Sequence, residues 1–171
     1  MLSDKLKQDI ESALSVLIGE NLRYLYRAGN MLTLGFGKDV KYIKTSGEET
    51  ARAQFALHVQ TSWRITENNN ISLGSYDFYV PRDGVSYEEF QNDENDGFGQ
   101  SVFDKKTEEL NESLISERRQ VTGIKASVFG DVCVLMDGGI NLEIFVNSSM
   151  LEESWRFFET GKDAPHFVVF D

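Results

Sequence analysis

One cysteine, two prolines and two histidines are all that 171 residues contain of three chemically telling types. A lone cysteine excludes an internal disulfide, and without a Cys/His cluster there is nothing from which to build a zinc site. No apolar run approaches the ~20 residues of a membrane span, and the N-terminus lacks the basic-then-apolar pattern of a secretory signal. The expected compartment is therefore the cytoplasm, with no membrane partner. Positive charge is scarce too: 17 Lys and Arg stand against 28 Asp and Glu, a formal net charge of −11. Such a chain repels phosphate, and no basic patch interrupts it, which argues against direct nucleic-acid binding. What is present is an apolar fraction of 40%, including 12 Phe. At this length that suffices to bury about two thirds of the unfolded surface without metal or disulfide staples. The expectation is a single α+β domain over residues 1–171, with no cofactor.

Leu6, Ile10, Ala13, Leu14 and Leu17 recur at helical spacing, with Lys5, Lys7, Asp9 and Glu11 between them. They predict an amphipathic N-terminal helix with Ser3 as N-cap and Gly19 as stop. From Leu22 the period shortens to two: Leu22, Tyr24 and Tyr26, then Gly29-Asn30, then Leu32, Leu34 and Phe36, which is a hairpin pattern. Gly35-Phe36-Gly37-Lys38 has neither phosphate-loop spacing and reads as a hairpin bend. The alternation from Arg52 to Thr66 is the cleanest strand in the chain, and Ile71 to Val80 reads as its partner after Asn68-Asn69-Asn70. A second helix is expected near 103–119, with Leu110, Leu114 and Ile115 on one side and Ser101 with Asp104 as capping pair. Strands resume over Ile124–Phe129, Val132–Met136 and Leu142–Val146. Ser149 to Phe158 reads as a short helical turn followed by a strand, and His166 to Phe170 as a last strand.

Two stretches, about 22–80 and 121–170, run through the same sequence of turns and strands. Each ends a strand alike, Ser62-Trp63-Arg64 in one and Ser154-Trp155-Arg156 in the other. An internal duplication predicts a mainly antiparallel sheet built from two similar meanders; the competing account is that turn chemistry alone recruits Gly and Asn to such places. Between the stretches lies an acidic segment, 83–112, which holds ten Asp and Glu against Lys105 and Lys106. It reads as an insertion. Asn92, Glu94, Asp96 and Gly97 resemble the start of a calcium loop, but Phe103 stands where the bidentate Glu belongs, so no metal site is expected.

Candidate site residues fall in two groups. Glu88, Glu89, Asp93 and Glu94 form an acidic docking face for a basic protein. His58, Gln60 and Arg64 share one face of the long strand and form a polar surface for a small ligand or an enzyme. Ser62 does not complete a nucleophile–base pair with His58, because residues four apart in a strand are ~13 Å apart. His166 reads as a strand-start residue, Cys133 as an inert core residue, and Trp63 and Trp155 as core. No catalytic residue is assigned, and the residues lean away from an enzyme.

The strings Phe55-Ala56-Leu57-His58-Val59-Gln60 with Ser62-Trp63-Arg64-Ile65, and Leu142-Glu143-Ile144-Phe145 with Ser154-Trp155-Arg156-Phe157-Phe158 and Pro165-His166-Phe167, resemble a family of small uncharacterised bacterial proteins. That resemblance covers the core of both stretches and implies no catalytic residue. Small acidic α+β proteins of this kind are also similar in type to immunity proteins of bacterial toxin systems. The leading expectation is a non-catalytic protein-binding module, an immunity-type inhibitor of a basic toxin being the specific case. The alternatives are a small-ligand binder or enzyme using His58, Gln60 and Arg64, and a module that oligomerises through its strand edges. Oligomeric state and strand order stay open at this level.

Overall fold

Alternating apolar residues dominate the chain, and ten of its segments pair into one antiparallel sheet. In the computed structural model, residues 2–95 and 97–170 are described, with side chains from residue 4 onward. The strands are β1 (Asn21–Ala28), β2 (Met31–Ile43), β3 (Glu49–Val59), β4 (Ser62–Glu67), β5 (Asn70–Gly74), β6 (Arg119–Ala126), β7 (Val132–Met136), β8 (Ile140–Phe145), β9 (Glu153–Glu159) and β10 (Phe167–Phe170). Three helices accompany them: α1 (Leu2–Leu14), the short α2 (Tyr87–Gln91) and α3 (Val102–Ser116). The fold class is α+β, as the sequence predicts.

The order across the sheet is β10-β9-β3-β2-β1-β6-β7-β8-β4-β5. Exchanging every strand for its counterpart five places along the chain gives the same order read backwards. Each meander, β1–β3 or β6–β8, therefore receives its outer pair of strands from the other stretch. Helices follow the same rule, α1 lying against β6 and α3 against β1. At the centre Asn21 pairs with Gln120.

This order overturns one expectation directly. The run from Arg52 to Thr66 is two strands, not one: β3 joins β9 in the first half-sheet, while β4 joins β8 in the second. Only Gln60 and Thr61 separate them, although six ladder steps, ~29 Å in a flat sheet, lie between their places. Three Cα steps span at most ~11 Å. The sheet must therefore curl until its two inner faces meet. They share one core, in which Leu25, Leu34, Leu57 and Trp155 of the first half and Val134, Leu142, Ile144 and Trp63 of the second are all buried. Burial of each contributes ~1.5–3 kcal/mol. Unbroken alternation hides the crossing, because the inner side of β3 stays inner in β4.

Other expectations shift locally. The strand from Ile71 ends at Gly74, and residues 75–79 form a 3₁₀ turn whose Asp77 carboxylate accepts from the Gly74 N–H at 3.1 Å. Residues 149–152 form no helical turn; the Met150 N–H donates to Ser148 Oγ instead. Gly35 and Gly37 lie inside β2 rather than at a bend, with Gly37 at φ 84° beside a bulge. Helix α1 starts at Leu2, ahead of the expected cap at Ser3, whose side chain lies outside the described residues, as does Asp96 of the calcium-loop comparison.

Helix α3 begins as expected. Ser101 Oγ accepts from Asp104 N at 3.1 Å, and the Asp104 carboxylate accepts from Ser101 N in return. Leu110 and Leu114 pack on the core, whereas Ile115 is 87% exposed, contrary to expectation. Two contacts fasten α3 to β1. Asn111 satisfies both the N–H and the C=O of Leu25, and buried Arg27 donates to both oxygens of Asp104 at 3.1 Å and to the Gly97 carbonyl at 2.8 Å.

Candidate functional site

The outer face of the first half-sheet is crossed by two rows of paired residues. One runs Tyr26, Thr33, His58, Arg156; the next runs Tyr24, Gly35, Ala56, Phe158. Small residues occupy the two central strands of the second row, so its middle is low and its ends are aromatic. Tyr24 folds onto that low floor: a Cβ on Gly35 would overlap the ring at Cζ and fall 2.7 Å from both its Cε2 and Ala53 Cβ, and the Tyr24 hydroxyl accepts from Ala53 N at 3.3 Å. Only glycine permits that approach.

β2 and β3 run on past this floor as a long hairpin, which brings Tyr42 and Arg52 over one end; the Arg52 guanidinium stands 4.3 Å from the Tyr42 ring. At the other side the turn after β9 brings in Thr160, Gly161, Lys162 and His166. The result is a cleft of about 440 Å³ that holds both histidines of the chain. Phe158 joins them, its ring edge-on to His58 at 5.0 Å and stacked on His166 at 4.1 Å. Burial, and then the charge of Arg156, holds the His58 imidazole below its ordinary value, which favours the neutral ring. Thr33, between Tyr26 and His58 in its row, is buried, and its hydroxyl has no partner among the described residues. Such an orphan costs free energy unless something bonds it.

Arg64 and Gln60 do not join His58 there. Arg64 is on the outer face of the other half-sheet, donating to Glu143 at 2.5 Å and lying over Phe145. Gln60 donates to Glu153 at 3.0 Å. Cys133 lies beside Glu143 on that same outer face, half-buried rather than in the core, and burial raises its thiol pKa. That keeps it a thiol. The sequence reads Tyr24 and Tyr26 only as hairpin residues and His166 only as a strand start, and it assigns Tyr42 and Arg52 no role; the only signal is the density of tyrosines in the first meander.

The acidic residues divide into two kinds. Glu89 is a capping residue of α2, its carboxylate bonded to Ser86 N and Oγ, and these bonds lower its pKa. Asp93 ties the loop together by accepting from Asn95 N, Gly97 N and Gln100 Nε2. Glu88 and Glu94 are exposed, as are Glu108, Glu109 and Glu112 on α3, and none of these five carboxylates has a partner among the described residues. No group of three or more His, Cys, Asp and Glu among the described residues could hold a metal ion, and no described helix is long and apolar enough to cross a membrane. No family model, curated protein or solved structure matches the chain.

Proposed function

We propose that this is a non-catalytic binding module that captures a basic protein on the acidic strip of α3 and the preceding loop, in the manner of an immunity protein acting on a basic toxin in a bacterial cytoplasm. The observation that carries the reading is the set of five exposed, unpartnered glutamates, Glu88, Glu94, Glu108, Glu109 and Glu112. Clustered charge of one sign steers an oppositely charged partner and raises its association rate. Glu89 and Asp93 take the supporting role of shaping the loop. The two stretches, about 22–80 and 121–170, are read as copies of one five-strand unit, with the acidic segment 83–112 inserted between them.

The test is capture from a low-salt host lysate by the native chain and, in parallel, by the Glu88→Lys, Glu94→Lys, Glu108→Lys, Glu109→Lys variant. A basic protein retained by the first, absent from the second and released at high salt is the expected result. Equal retention by both chains would reject the strip as the docking face.

The cleft on the first half-sheet favours a second reading, a small-ligand binder. Its support is the convergence of both histidines, three tyrosines and the orphan Thr33 hydroxyl on one concave surface. A small molecule that raises the melting temperature, with the rise removed by Tyr26→Ala or His58→Ala, is the expected result; a rise that persists in both variants would place binding elsewhere.

A further inference from the structure

The charged groups around the cleft do not balance, and that imbalance indicates what the cleft would receive. Lys162 is paired with Glu159 at 2.7 Å, and Arg156 is paired with Glu153. Each pair is close to neutral as seen from the cleft. Arg52 differs: no carboxylate partners it among the described residues, and it rests on the face of Tyr42 instead. One uncompensated cation thus overhangs the cleft of a chain whose formal net charge is −11. Guanidinium groups take carboxylate and phosphate oxygens in a planar, two-point grip.

Much of the rest of the lining is aromatic. Tyr24 and Tyr26 lie 5.7 Å apart on one side, the stacked pair of Phe158 and His166 stands on the other, and Ala56 and Gly35 keep the floor between them low. Aromatic rings on two sides of a cleft offer stacking surfaces to a planar body. Hydroxyls of Thr33, Tyr26 and Tyr42 and the His58 ring supply hydrogen-bonding groups along its edge.

Resting on the second reading above, we propose that the cleft binds a planar aromatic molecule bearing an anionic group, with the anion on Arg52 and the ring between the tyrosines and the Phe158–His166 stack. The anion can be a carboxylate or a phosphate, since the guanidinium serves both.

The chain carries its own reporter, because its two histidines both line the cleft and their ring protons give only two sets of NMR signals. Five probes are titrated while those signals are followed: adenosine 5′-monophosphate and indole-3-acetate as phosphate and carboxylate, adenosine and indole-3-acetamide as their uncharged matches, and inorganic phosphate alone. The expected result is movement of both histidine signals, with at least one charged probe bound about tenfold or more tightly than its uncharged match. The tighter of the two charged probes identifies the anion. Arg52→Gln, at an exposed position, should remove that preference, and His166→Ala, also exposed, should weaken charged and uncharged probes alike. Lys125→Gln, on the other half-sheet, should change nothing.

Uncharged probes that bind as well as their charged partners would overturn the anionic class while leaving the cleft as a ligand site. Inorganic phosphate bound as tightly as the nucleotide would overturn the planar part. If no probe moves either histidine signal at millimolar concentration, the proposal and the small-ligand reading both fall.

Discussion

The two half-sheets present equivalent rows on their outer faces, and the rows hold different chemistry. Tyr26, Thr33, His58 and Arg156 in the first correspond by strand position to Lys125, Cys133, Glu143 and Arg64 in the second. Both rows end in an arginine next to a tryptophan of the core. In the second, that arginine meets a carboxylate across the ladder and the row closes on itself as an ion pair. In the first, a histidine stands across the ladder, so Arg156 turns to Glu153 along its own strand and the imidazole is left to the cleft. A second difference is length. The turn between β7 and β8 is the short Asp137-Gly138-Gly139, while the hairpin of β2 and β3 continues to Ile43 and returns at Glu49. The same architecture is thus a closed polar face in one half and a recessed aromatic one in the other. The difference lies in three exchanges along the row, Lys125 to Tyr26, Cys133 to Thr33 and Glu143 to His58, and in one extended hairpin.

The largest test of this asymmetry concerns how each helix is fastened. α3 is locked to β1 through buried Arg27, whereas α1 meets β6 at a partly exposed carboxylate, Ala126 N donating to Glu11 Oε1 at 3.2 Å. Asp104→Ala strips Arg27 of its counter-charge and α3 of its capping box, and should cost about 3–5 kcal/mol in urea unfolding. Glu11→Ala should cost about 1 kcal/mol or less. Equal losses would mean that the halves are fastened alike.

Glycine to alanine comes next. At Gly35 the new methyl meets Tyr24 and Ala53 and should cost about 1–3 kcal/mol, with the Tyr24 environment altered in near-ultraviolet circular dichroism. At Gly123, on β6 of the other half, the nearest atom is Leu135 Cδ1 at 3.4 Å. There alanine should be neutral, or stabilising by about 0.5–1 kcal/mol.

The two tryptophans offer a finer contrast. Trp155 Nε1 donates to the Gly130 carbonyl at 2.9 Å, while Trp63 Nε1 has no partner among the described residues. Trp155→Phe should therefore cost about 1 kcal/mol more than Trp63→Phe by denaturant titration. A smaller cost would show that the indole bond contributes nothing net.

The smallest effect is in pH. Burial puts the folded-state pKa of His58 below its ordinary 6.5. Between those two values the unfolded chain binds more protons, so stability is complete above about pH 6.5 and falls as pH drops toward the folded value. Glu153 is also lowered, chiefly by its bond to Arg156, from an ordinary 4.5, so its contribution is lost only below that. His58→Gln should flatten the first decline and leave the second.

Local chemistry made much of this fold legible in the sequence. The Ser101/Asp104 box, the Gly29-Asn30 turn and the Val132–Met136 strand each depend on neighbours along the chain, and each lies where it was expected. Pairing partners depend on distant residues, and there periodicity misleads. The run from Arg52 to Thr66 carries one alternation through two strands, so His58 and Arg64 read as one face while occupying two. The same reason hides most of the cleft. His58 was visible as a polar residue on a strand, but its company of Tyr24, Tyr42, Arg52 and His166 comes from four other segments or strand ends. Acidic composition singled out the segment 83–112, yet could not tell Glu89 and Asp93, which hold the loop together, from Glu88 and Glu94, which face solvent.

The exchange of outer strands between the halves also sets a timetable for folding during synthesis. β4 leaves the ribosome soon after β3, but its ladder partner is β8, so Trp63 must wait for Ile144. At ~5–20 residues per second, the intervening chain takes several seconds to appear. Through that interval the hairpin of β4 and β5 has an open edge and an unburied apolar side. A nascent chain with such an edge is a natural client for a chaperone, and two chains side by side could donate hairpins to each other before either is finished.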